Sequence, residues 1–372
     1  MRILYFTERD GPHDQRFLTA LAGTEHQVFT LRQKQCVPAS ITGITELAWP
    51  GEQPNWSNWC GWEAGKAQFL KVLDDVQPEL VHAGPVQGPA LLAALADFHP
   101  LLTMSWGSDL LLRAKRSPWM RQATQFTLDR TDIFLGDCQT VLDEAAAYRF
   151  SPSRMVRFPW GVDLNHFSPH QAESAGLEYR KSLHWEDHFI LLCNRTWSLI
   201  YGVDLLAKAF AAAVKENKNI RLLLVGDGPQ SDLIHQILDP VLECVHFPGW
   251  LSRQEILKAY GAADLFVSPS HCDGSSVSLL EALACGLPVL TSDIPSNREW
   301  VTPGKVGDLF RDGDAIALTK KLLNMAETST LKHMGEKSHQ LAEERADWRK
   351  NFQILLGAYQ MACNNDQSKD MC

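Results

Sequence analysis

The chain has 372 residues, of which 45% are hydrophobic and 21% are charged. This composition is typical of a globular protein and excludes a disordered chain, a collagen and a coiled-coil rod. The length favours two domains. The 44 acidic residues outnumber the 35 basic ones, which gives a formal net charge of −9. Because nucleic-acid-binding proteins normally carry a basic surplus, nucleic acid is not expected as a partner.

Short apolar segments alternate with amphipathic ones in both halves of the chain, separated by turns that contain Gly or Pro. In the first half, strands are predicted at 2–6, 26–31, 79–83 and 101–105, and helices at 15–22 and 90–98. In the second half, strands are predicted at 189–193, 221–225, 245–247, 265–268 and 288–291, and helices at 203–215, 231–238, 253–260, 277–285, 315–326 and 349–363. This alternation indicates βαβ units and parallel sheets.

Residues 159–186 interrupt the alternation. The stretch begins PWGVDLNHFSPHQAESAG, is rich in Pro, Gly, His and Ser, and is interpreted as a connection between domains. We therefore predict two doubly wound α/β domains, over 1–165 and 166–350, facing each other across a cleft where a ligand would bind. Residues 351–372 would form a C-terminal helix that could cross back to the first domain, with a frayed polar tail.

The cysteines and the hydrophobic runs bear on the location of the protein. Nine cysteines are widely spaced, and no C-x-x-C occurs. This pattern does not predict a disulfide framework or a zinc site and is typical of a reducing compartment. The first residues, MRILYFTERDGPHD, do not resemble a signal peptide, and no apolar run is long enough to span a bilayer. We expect a cytoplasmic protein, with peripheral contact at the inner membrane face possible.

Two clusters leave a choice between a structural and a binding role. Residues Arg113, Lys115, Arg116 and Arg121 form either a solvated helix face or a contact with an anionic acceptor or membrane surface. The tryptophans at positions 49, 56, 59 and 62 either bind sugars or a membrane interface, or are buried in the first domain. The stretch 59–76 could form an amphipathic helix, although its mixed charges do not indicate strong membrane binding.

The most informative segment is 264–301, DLFVSPSHCDGSSVSLLEALACGLPVLTSDIPSNREWV. A predicted strand leads into a turn-rich loop and then into a helix that begins near Ser276 or Ser278. A helix N-terminus offers unpaired N–H groups and a partial positive charge, so it can bind a phosphate. Asp273 precedes this helix and Glu281 lies inside it, so the two acids could hold different parts of one ligand.

This segment resembles the donor-binding motif of family 4 retaining glycosyltransferases, which have the GT-B fold of two Rossmann-like domains. The family pattern is an acid, seven residues and Glu, followed by Ala-x-Gly-x-Pro-Val. The chain has Asp273 and Glu281 at that spacing, then ACGLPV (284–289), and the match continues into NRE (297–299).

Four other segments resemble family motifs. They are VGDGP (225–229) for a Gly-x-Gly-Pro turn, FPGWL (247–251) for the segment that holds the base, GVD (161–163) with Phe167 and Pro169 for the linker, and GSD (107–109) for a His-Gly-x-Asp turn.

The resemblance implies a retaining transfer of sugar from a nucleotide diphosphate sugar to a hydroxyl of a glycan, lipid or small molecule. Asp273 would hold hydroxyls of the transferred sugar, Glu281 the donor ribose, and Arg195 the phosphates. The other donor-binding candidates are Gly11, His13, Tyr201, Gly226, Leu251, Gly274, Ser275 and Ser276, and the acceptor-side candidates are Trp106 and Asp109. No metal or other cofactor is expected, since an arginine and a helix terminus can supply the positive charge.

Three positions depart from the family pattern. Tyr201 stands where a lysine is usual, which removes one positive charge from the phosphate site. Asp273 replaces the commoner glutamate, and Trp106 replaces a histidine that could move a proton. Two alternatives stay open, a GT-B sugar-nucleotide epimerase and a non-catalytic nucleotide-sugar-binding subunit, and the changes at Tyr201 and Trp106 bear on the second. The oligomeric state, the sugar and the base are not indicated by the sequence.

Each candidate also has an ordinary structural interpretation. Glu281 could be a solvated residue in the first turns of a helix, and Arg195 could form a structural ion pair. Asp273 could be a turn or cap residue, His13 could lie in a surface turn, and Asp109 could cap a helix.

Overall fold

Two parallel β-sheets, each accompanied by helices, form separate units of the chain. The computed structural model describes residues 1–34 and 40–369. The first unit comprises Met1–Phe158 and the chain from Phe352 onward, and the second comprises Pro159–Asn351. Cys36 and Cys372, two of the nine cysteines, lie outside the described residues.

The first unit contains a seven-stranded parallel sheet. Its strands are β1 (Arg2–Thr7), β2 (Gln27–Arg32), β3 (Ile44–Glu46), β4 (Leu80–Ala83), β5 (Leu101–Met104), β6 (Ile133–Gly136) and β7 (Met155–Arg157), in the order β3-β2-β1-β4-β5-β6-β7. Its helices up to this point in the chain are α1 (Pro12–Ala22), α2 (Trp59–Val76), α3 (Pro89–Leu95), α4 (Ser108–Leu111), α5 (Pro118–Arg130) and α6 (Gln139–Ala147).

The second unit contains a six-stranded parallel sheet. Its strands are β8 (Phe189–Cys193), β9 (Ile220–Leu224), β10 (Val245–His246), β11 (Leu265–Ser268), β12 (Val289–Ser292) and β13 (Gly307–Phe310), in the order β10-β9-β8-β11-β12-β13. Its helices are α7 (Pro169–Leu183), α8 (Val203–Glu216), α9 (Ser231–Leu238), α10 (Arg253–Ala262), α11 (Val277–Ala284), α12 (Pro295–Arg298), α13 (Ala315–Glu327) and α14 (Leu331–Arg345).

The last helix, α15 (Trp348–Lys369), carries the chain back into the first unit from Phe352. Tyr359 of this helix is fully buried, and its hydroxyl lies 2.8 Å from Nδ1 of His82 on β4. The helix continues to Lys369, and the final three residues of the predicted frayed tail lie outside the described residues. No helix in the described part of the chain is both long and apolar enough to cross a membrane.

The predicted fold class is confirmed, since both sheets are parallel and doubly wound. Each predicted strand coincides with an observed strand to within one residue at either end. The strands are continuous apolar runs because helices cover both faces of a parallel sheet. In β8, for example, all five residues are buried.

The interpretation of residues 159–186 as a connection was wrong for its second half. Residues Pro169–Leu183 form a 15-residue helix, α7. Ser168 caps its N-terminus by accepting a hydrogen bond from the Gln171 backbone, and Pro169 occupies the first helical position. A proline there costs nothing, because the N–H that it lacks would have no partner within the helix. The Pro and Ser that indicated a loop are therefore the start signal of a helix.

Helix α7 packs closely against α10 at a pair of glycines. A Cβ atom on Gly261 would lie 2.0 Å from the Ala172 carbonyl oxygen, and one on Gly176 would lie 2.1 Å from the Gly261 carbonyl carbon. Neither position has room for a side chain while the helices keep this distance. This contact fixes α10, which carries one of the residues of the site described below.

We expect Gly261→Ala to destabilise the second unit by about 1–3 kcal/mol, because the added methyl group forces the two helix backbones apart. The matched control is Gly357→Ala in α15, where a Cβ would meet nothing within 4 Å. That change should be neutral or stabilise by up to ~1 kcal/mol, since alanine favours helix. Chemical denaturation of both variants measures the difference, and equal stabilities would contradict the close contact.

Candidate functional site

The carboxyl ends of β8 and β11 bring Arg195 and Asp273 together. The two strands are neighbours in the parallel sheet, so the loops that follow them leave the same edge. Nη2 of Arg195 lies 2.5 Å from Oδ2 of Asp273, and both side chains are largely buried. The sequence left open whether Arg195 forms a structural ion pair or belongs to a binding site. In the structure it does both, since its ion-pair partner is Asp273 of the candidate site.

The same guanidinium reaches the N-terminus of α11. Nη1 of Arg195 donates to the hydroxyls of Ser276 and Ser278, at 2.7 and 2.9 Å. Ser276 is the N-cap of α11, and its hydroxyl also accepts from the Leu279 backbone. A positive side chain thus adds to the partial positive charge of the helix terminus. In this structure, Asp273 is the anion that this positive site holds.

Burial and hydrogen bonding shift the pKa of Asp273 in opposite directions. Burial raises the pKa of Asp273, while the Arg195 guanidinium and the Gly274 N–H oppose that rise by stabilising the carboxylate. The Gly274 N–H donates to Oδ1 at 3.1 Å. Gly274 and the following Ser275, two of the predicted donor-binding residues, are both buried. They directly precede Ser276, the N-cap of α11.

Tyr201 covers one face of Arg195. It ends a single 3-10 turn at Leu199–Tyr201, and the guanidinium carbon lies 4.2 Å from its ring centroid, a cation–π contact. Burial raises the pKa of Tyr201, so the hydroxyl stays neutral at physiological pH. The sequence named Tyr201 as a donor-binding candidate, and the structure adds that its ring face covers the arginine.

Glu281 is oriented by a buried tyrosine from α10. The hydroxyl of Tyr260 lies 2.7 Å from Oε2 of Glu281, to which it can donate, and it accepts a hydrogen bond from Asn194 Nδ2 at 2.8 Å. Tyr260 is fully buried, and burial raises the pKa of its hydroxyl well above the ordinary value. Sequence reasoning missed Tyr260 and Asn194, because an aromatic residue on the apolar face of a helix gives no signal that its hydroxyl serves a site.

Gly226 and Leu251 lie on a second pair of loops in this unit. The Gly226 N–H donates to the Gly249 carbonyl oxygen at 2.8 Å, which ties the GDGP turn to the FPGWL segment. Gly226 has φ of +100°, a conformation that favours glycine. Leu251 packs partly against the core, whereas the neighbouring Trp250 is 67% exposed. The sequence predicted Leu251 and missed Trp250, whose ring lies beside Gly226: a Cβ atom on Gly226 would lie 3.8 Å from Cζ3 of Trp250.

The remaining candidates belong to the first unit. His13 and Trp106 stack with ring centroids 6.1 Å apart and an interplanar angle of 28°. The Gly11 N–H donates to Oδ2 of Asp14 at 3.0 Å, and Tyr5 donates to the other carboxylate oxygen at 3.0 Å. The loop between β1 and α1 is therefore anchored by the buried Asp14, which sequence reasoning did not single out.

Asp109 is buried and orders two loops of the first unit. Its Oδ1 accepts from the Ser105 hydroxyl at 2.6 Å and from the Trp106 N–H at 3.0 Å, and its Oδ2 accepts from the Val86 N–H at 2.9 Å. Burial raises the pKa of Asp109, and these hydrogen bonds oppose the rise. Asp109 lies inside the first turn of α4, so it acts on Trp106 through the backbone.

Within residues 1–34 and 40–369, no group of three or more His, Cys, Asp or Glu side chains is placed to hold a metal ion. The expectation that the ligand binds without a metal remains a prediction.

Comparison with known families agrees with this arrangement. The model of "Glycosyl transferases group 1" matches residues 187–328, which contain the whole cluster around Arg195. The model "Glycosyl transferase 4-like" matches residues 2–140. Together they cover about three quarters of the chain. The chain belongs to the group 1 glycosyltransferases.

Several characterised glycosyltransferases resemble this chain. A GDP-mannose-dependent monoacylated alpha-(1-6)-phosphatidylinositol monomannoside mannosyltransferase of Corynebacterium glutamicum is 27% identical over 56% of this chain and 56% of its own length. The alpha-monoglucosyldiacylglycerol synthase of Streptococcus pneumoniae is 28% identical over 46% of this chain and 40% of its own. The matched region thus spans about half the length of these relatives.

The fold of this chain is also that of solved structures. Anabaena HepE, crystallised in complex with UDP, superposes with a TM-score of 0.77 at 18% identity, covering 97% of this chain and 100% of HepE. The predicted GT-B fold is confirmed.

Asp14 predicts a pH dependence of the stability of the folded chain. Burial raises the pKa of Asp14 from 3.8 to about 6, so the folded chain holds a proton that the unfolded chain releases. The resulting stabilisation is present below about pH 4 and is lost as the pH rises through about 6. We expect the stability advantage of wild type over Asp14→Asn to fall by up to ~3 kcal/mol between these limits.

Denaturant unfolding at about pH 4 and about pH 7 measures this change. The control is Asp74→Asn on the exposed face of α2, which should show no comparable pH effect. If the difference in stability between wild type and Asp14→Asn is the same at both pH values, a proton on Asp14 in the folded state is excluded.

Proposed function

We propose that this chain transfers a sugar from a nucleotide diphosphate sugar to an acceptor hydroxyl with retention of anomeric configuration. The observation that carries the proposal is the convergence of Arg195 and the α11 N-terminus on Asp273, with Glu281 eight residues further on. The names of the relatives support the donor class, since one uses GDP-mannose and HepE was crystallised with UDP.

The positive site would stabilise the leaving group. As the glycosidic bond breaks, negative charge builds on the diphosphate, and preorganised donors lower the energy of that transition state. Arg195 has an Nε–H that is buried without a hydrogen-bond partner among the described residues. Together with the backbone N–H groups at the start of α11, this unpaired donor makes the site ready for phosphate oxygens.

Asp273 and Glu281 would hold the two sugar rings of the donor. Carboxylates accept hydrogen bonds from paired hydroxyls. Glu281, oriented by Tyr260, would bind the ribose, and Asp273 would bind hydroxyls of the transferred sugar while it remains paired with Arg195. Gly226, Trp250 and Leu251 would hold the base, with the exposed Trp250 ring as its stacking surface.

In the retaining mechanism, the acceptor hydroxyl attacks the face that the diphosphate leaves. The C–O bond to the diphosphate breaks, the C–O bond to the acceptor forms, and a departing phosphate oxygen takes the acceptor proton. No separate general base is needed. Trp106 in the first unit remains the acceptor-side proposal, with Asp109 acting through the backbone of Trp106. Gly11 and His13 remain donor-side proposals.

Titration of UDP, GDP and ADP by calorimetry tests the donor site. We expect one nucleotide to bind, and Arg195→Ala and Glu281→Ala each to weaken it by about tenfold to a hundredfold, since each removes hydrogen bonds to a charged group. The controls are Arg311→Ala and Glu243→Ala, at exposed positions of the same unit, which should bind like wild type. Absence of binding to all three nucleotides, or equal affinities in all variants, would overturn the assignment.

The matching nucleotide sugar then separates the alternatives. Transfer or slow donor hydrolysis with retained anomeric configuration supports a transferase. An epimerised sugar formed without any acceptor would support the epimerase, and tight binding without turnover would support a binding subunit. The last outcome has a physical basis in Tyr201, which supplies no charge to the phosphates.

Tyr201→Lys restores the charge that the family pattern has at this position. We expect it to tighten binding of the nucleoside diphosphate by about tenfold, because a second cation would lie beside Arg195, and to leave binding of the uncharged nucleoside unchanged. Tyr201→Met is the matched control, since it removes the ring without adding charge. Comparison of both variants with diphosphate and nucleoside separates charge from shape, and equal diphosphate affinities of Lys and Met variants would contradict the prediction.

A further inference from the structure

Two tryptophans of the first unit lie edge to face on its surface. Trp59 begins α2 and Trp119 is the second residue of α5. Their ring centroids are 6.1 Å apart with the planes at 90°, yet the residues remain 51% and 45% exposed. An exposed pair of rings of this size marks an interaction site rather than a solvated surface.

The other tryptophans of the same sequence cluster do not share this exposure. Trp56 lies between Trp49 and Trp62, with ring centroids at 5.6 and 5.2 Å, and Trp62 is only 8% exposed. All three pack with the core of the first unit. Both alternatives for this cluster are thus realised, since three rings are structural and Trp59 alone is exposed.

Basic residues surround Trp119 in the chain. Of the four in the segment 113–121, Arg113 lies 3.7 Å from Glu8 and Lys115 lies 2.5 Å from Glu144. Arg116 and Arg121 are exposed, and neither forms an ion pair with any residue that the structure describes. The segment therefore presents two uncompensated positive charges on either side of Trp119.

The charge of this surface opposes that of the whole chain. The chain carries a net charge of −9. An anionic partner is therefore repelled by the chain as a whole but attracted by Arg116 and Arg121. Leu112, 44% exposed, adds apolar area at the start of the segment. Glu63, exposed one turn after Trp59, carries the opposite charge and weakens the attraction.

The combination fits the interface of a lipid bilayer. Tryptophan concentrates at the headgroup level of membranes because its ring is apolar and its N–H is polar. Arginines beside it bind phosphate groups of anionic lipids. Rings at right angles do not offer two parallel faces between which a sugar or base could lie, which disfavours a stacked soluble ligand.

We propose that Trp59, Leu112, Arg116, Trp119 and Arg121 form a docking surface for anionic phospholipid bilayers, here named the Trp59–Trp119 surface. The tryptophan rings enter the headgroup region and the arginines contact lipid phosphates. The proposal rests on the first unit alone, so it holds or fails independently of the nucleotide site in the second unit.

Co-sedimentation of the full chain with vesicles tests the proposal. We expect binding to phosphatidylcholine vesicles in which about one quarter of the lipid is phosphatidylglycerol, little binding to phosphatidylcholine alone, and a fall in binding as salt rises. Arg116→Ser with Arg121→Ser should weaken binding about 25-fold, at about fivefold for each arginine. The control, Lys218→Ser with Arg311→Ser, makes the same charge change at exposed positions of the second unit and should bind like wild type.

The aromatic pair is tested separately. Trp59→Ala with Trp119→Ala should reduce vesicle binding at least tenfold, whereas Leu177→Ala with Ile316→Ala, at exposed apolar positions of the second unit, should not. Cooperative thermal unfolding and unchanged nucleotide binding confirm that each variant is folded. If the double tryptophan variant does not fold, the double arginine variant alone tests the proposal.

Three results would overturn the proposal. They are the absence of binding to anionic vesicles at low salt, equal binding by the Trp59–Trp119 surface variants and their controls, and a wild-type dimer in sedimentation that the tryptophan variant abolishes. The last would assign the surface to a second copy of the chain. Loss of vesicle binding with nucleotide affinity intact isolates the docking surface from the donor site.

Discussion

The pairing of Arg195 with Asp273 is the interaction on which the rest of the candidate site depends. A buried guanidinium needs an anion, and a buried carboxylate needs a cation, so each side chain is stable in this position only with its partner. The pair also draws in Ser276, which caps α11, and Tyr201, which covers the guanidinium face. One contact therefore fixes the loop after β8, the loop after β11 and the start of a helix.

This arrangement has a consequence for ligand charge. The positive potential at the α11 N-terminus is balanced by a carboxylate of the protein itself, and no lysine among residues 1–34 and 40–369 forms an ion pair there. A phosphate that enters must share Arg195 with Asp273, using the guanidinium edge that has no other partner. The affinity for phosphate then depends more on hydrogen-bond geometry than on net charge. This follows because Tyr201, unlike a lysine, adds no positive charge.

The sequence predicted the strands well because buried parallel strands are unbroken apolar runs with turn residues at both ends. It missed α7, since Pro169 and Ser168 are turn residues in isolation and helix-start residues in context. It also missed β6 and β13, and it missed β3 and β7, which have only three residues each and are not fully buried. The acid-x7-Glu spacing located Asp273 and Glu281, because local spacing along one loop and helix survives folding unchanged.

The sequence could not predict the contacts that cross between elements. The bond from Tyr260 to Glu281 joins α10 to α11, and the pairing of Trp59 with Trp119 joins α2 to α5. Such contacts depend on how helices pack onto the sheet, which the pattern of a single element does not encode. For the same reason, a basic segment and a tryptophan cluster could be named from the sequence but not joined into one surface.

The return of α15 to the first unit sets an order for synthesis on the ribosome. Residues 159–351 form the second unit without a break, so its chain is complete when residue 351 has been made. The first unit is discontinuous, and the pocket around His82 stays open until Tyr359 of α15 arrives. During translation, the unit that begins first is therefore the one completed last, and the surface that Tyr359 covers around His82 stays exposed to chaperones for that interval.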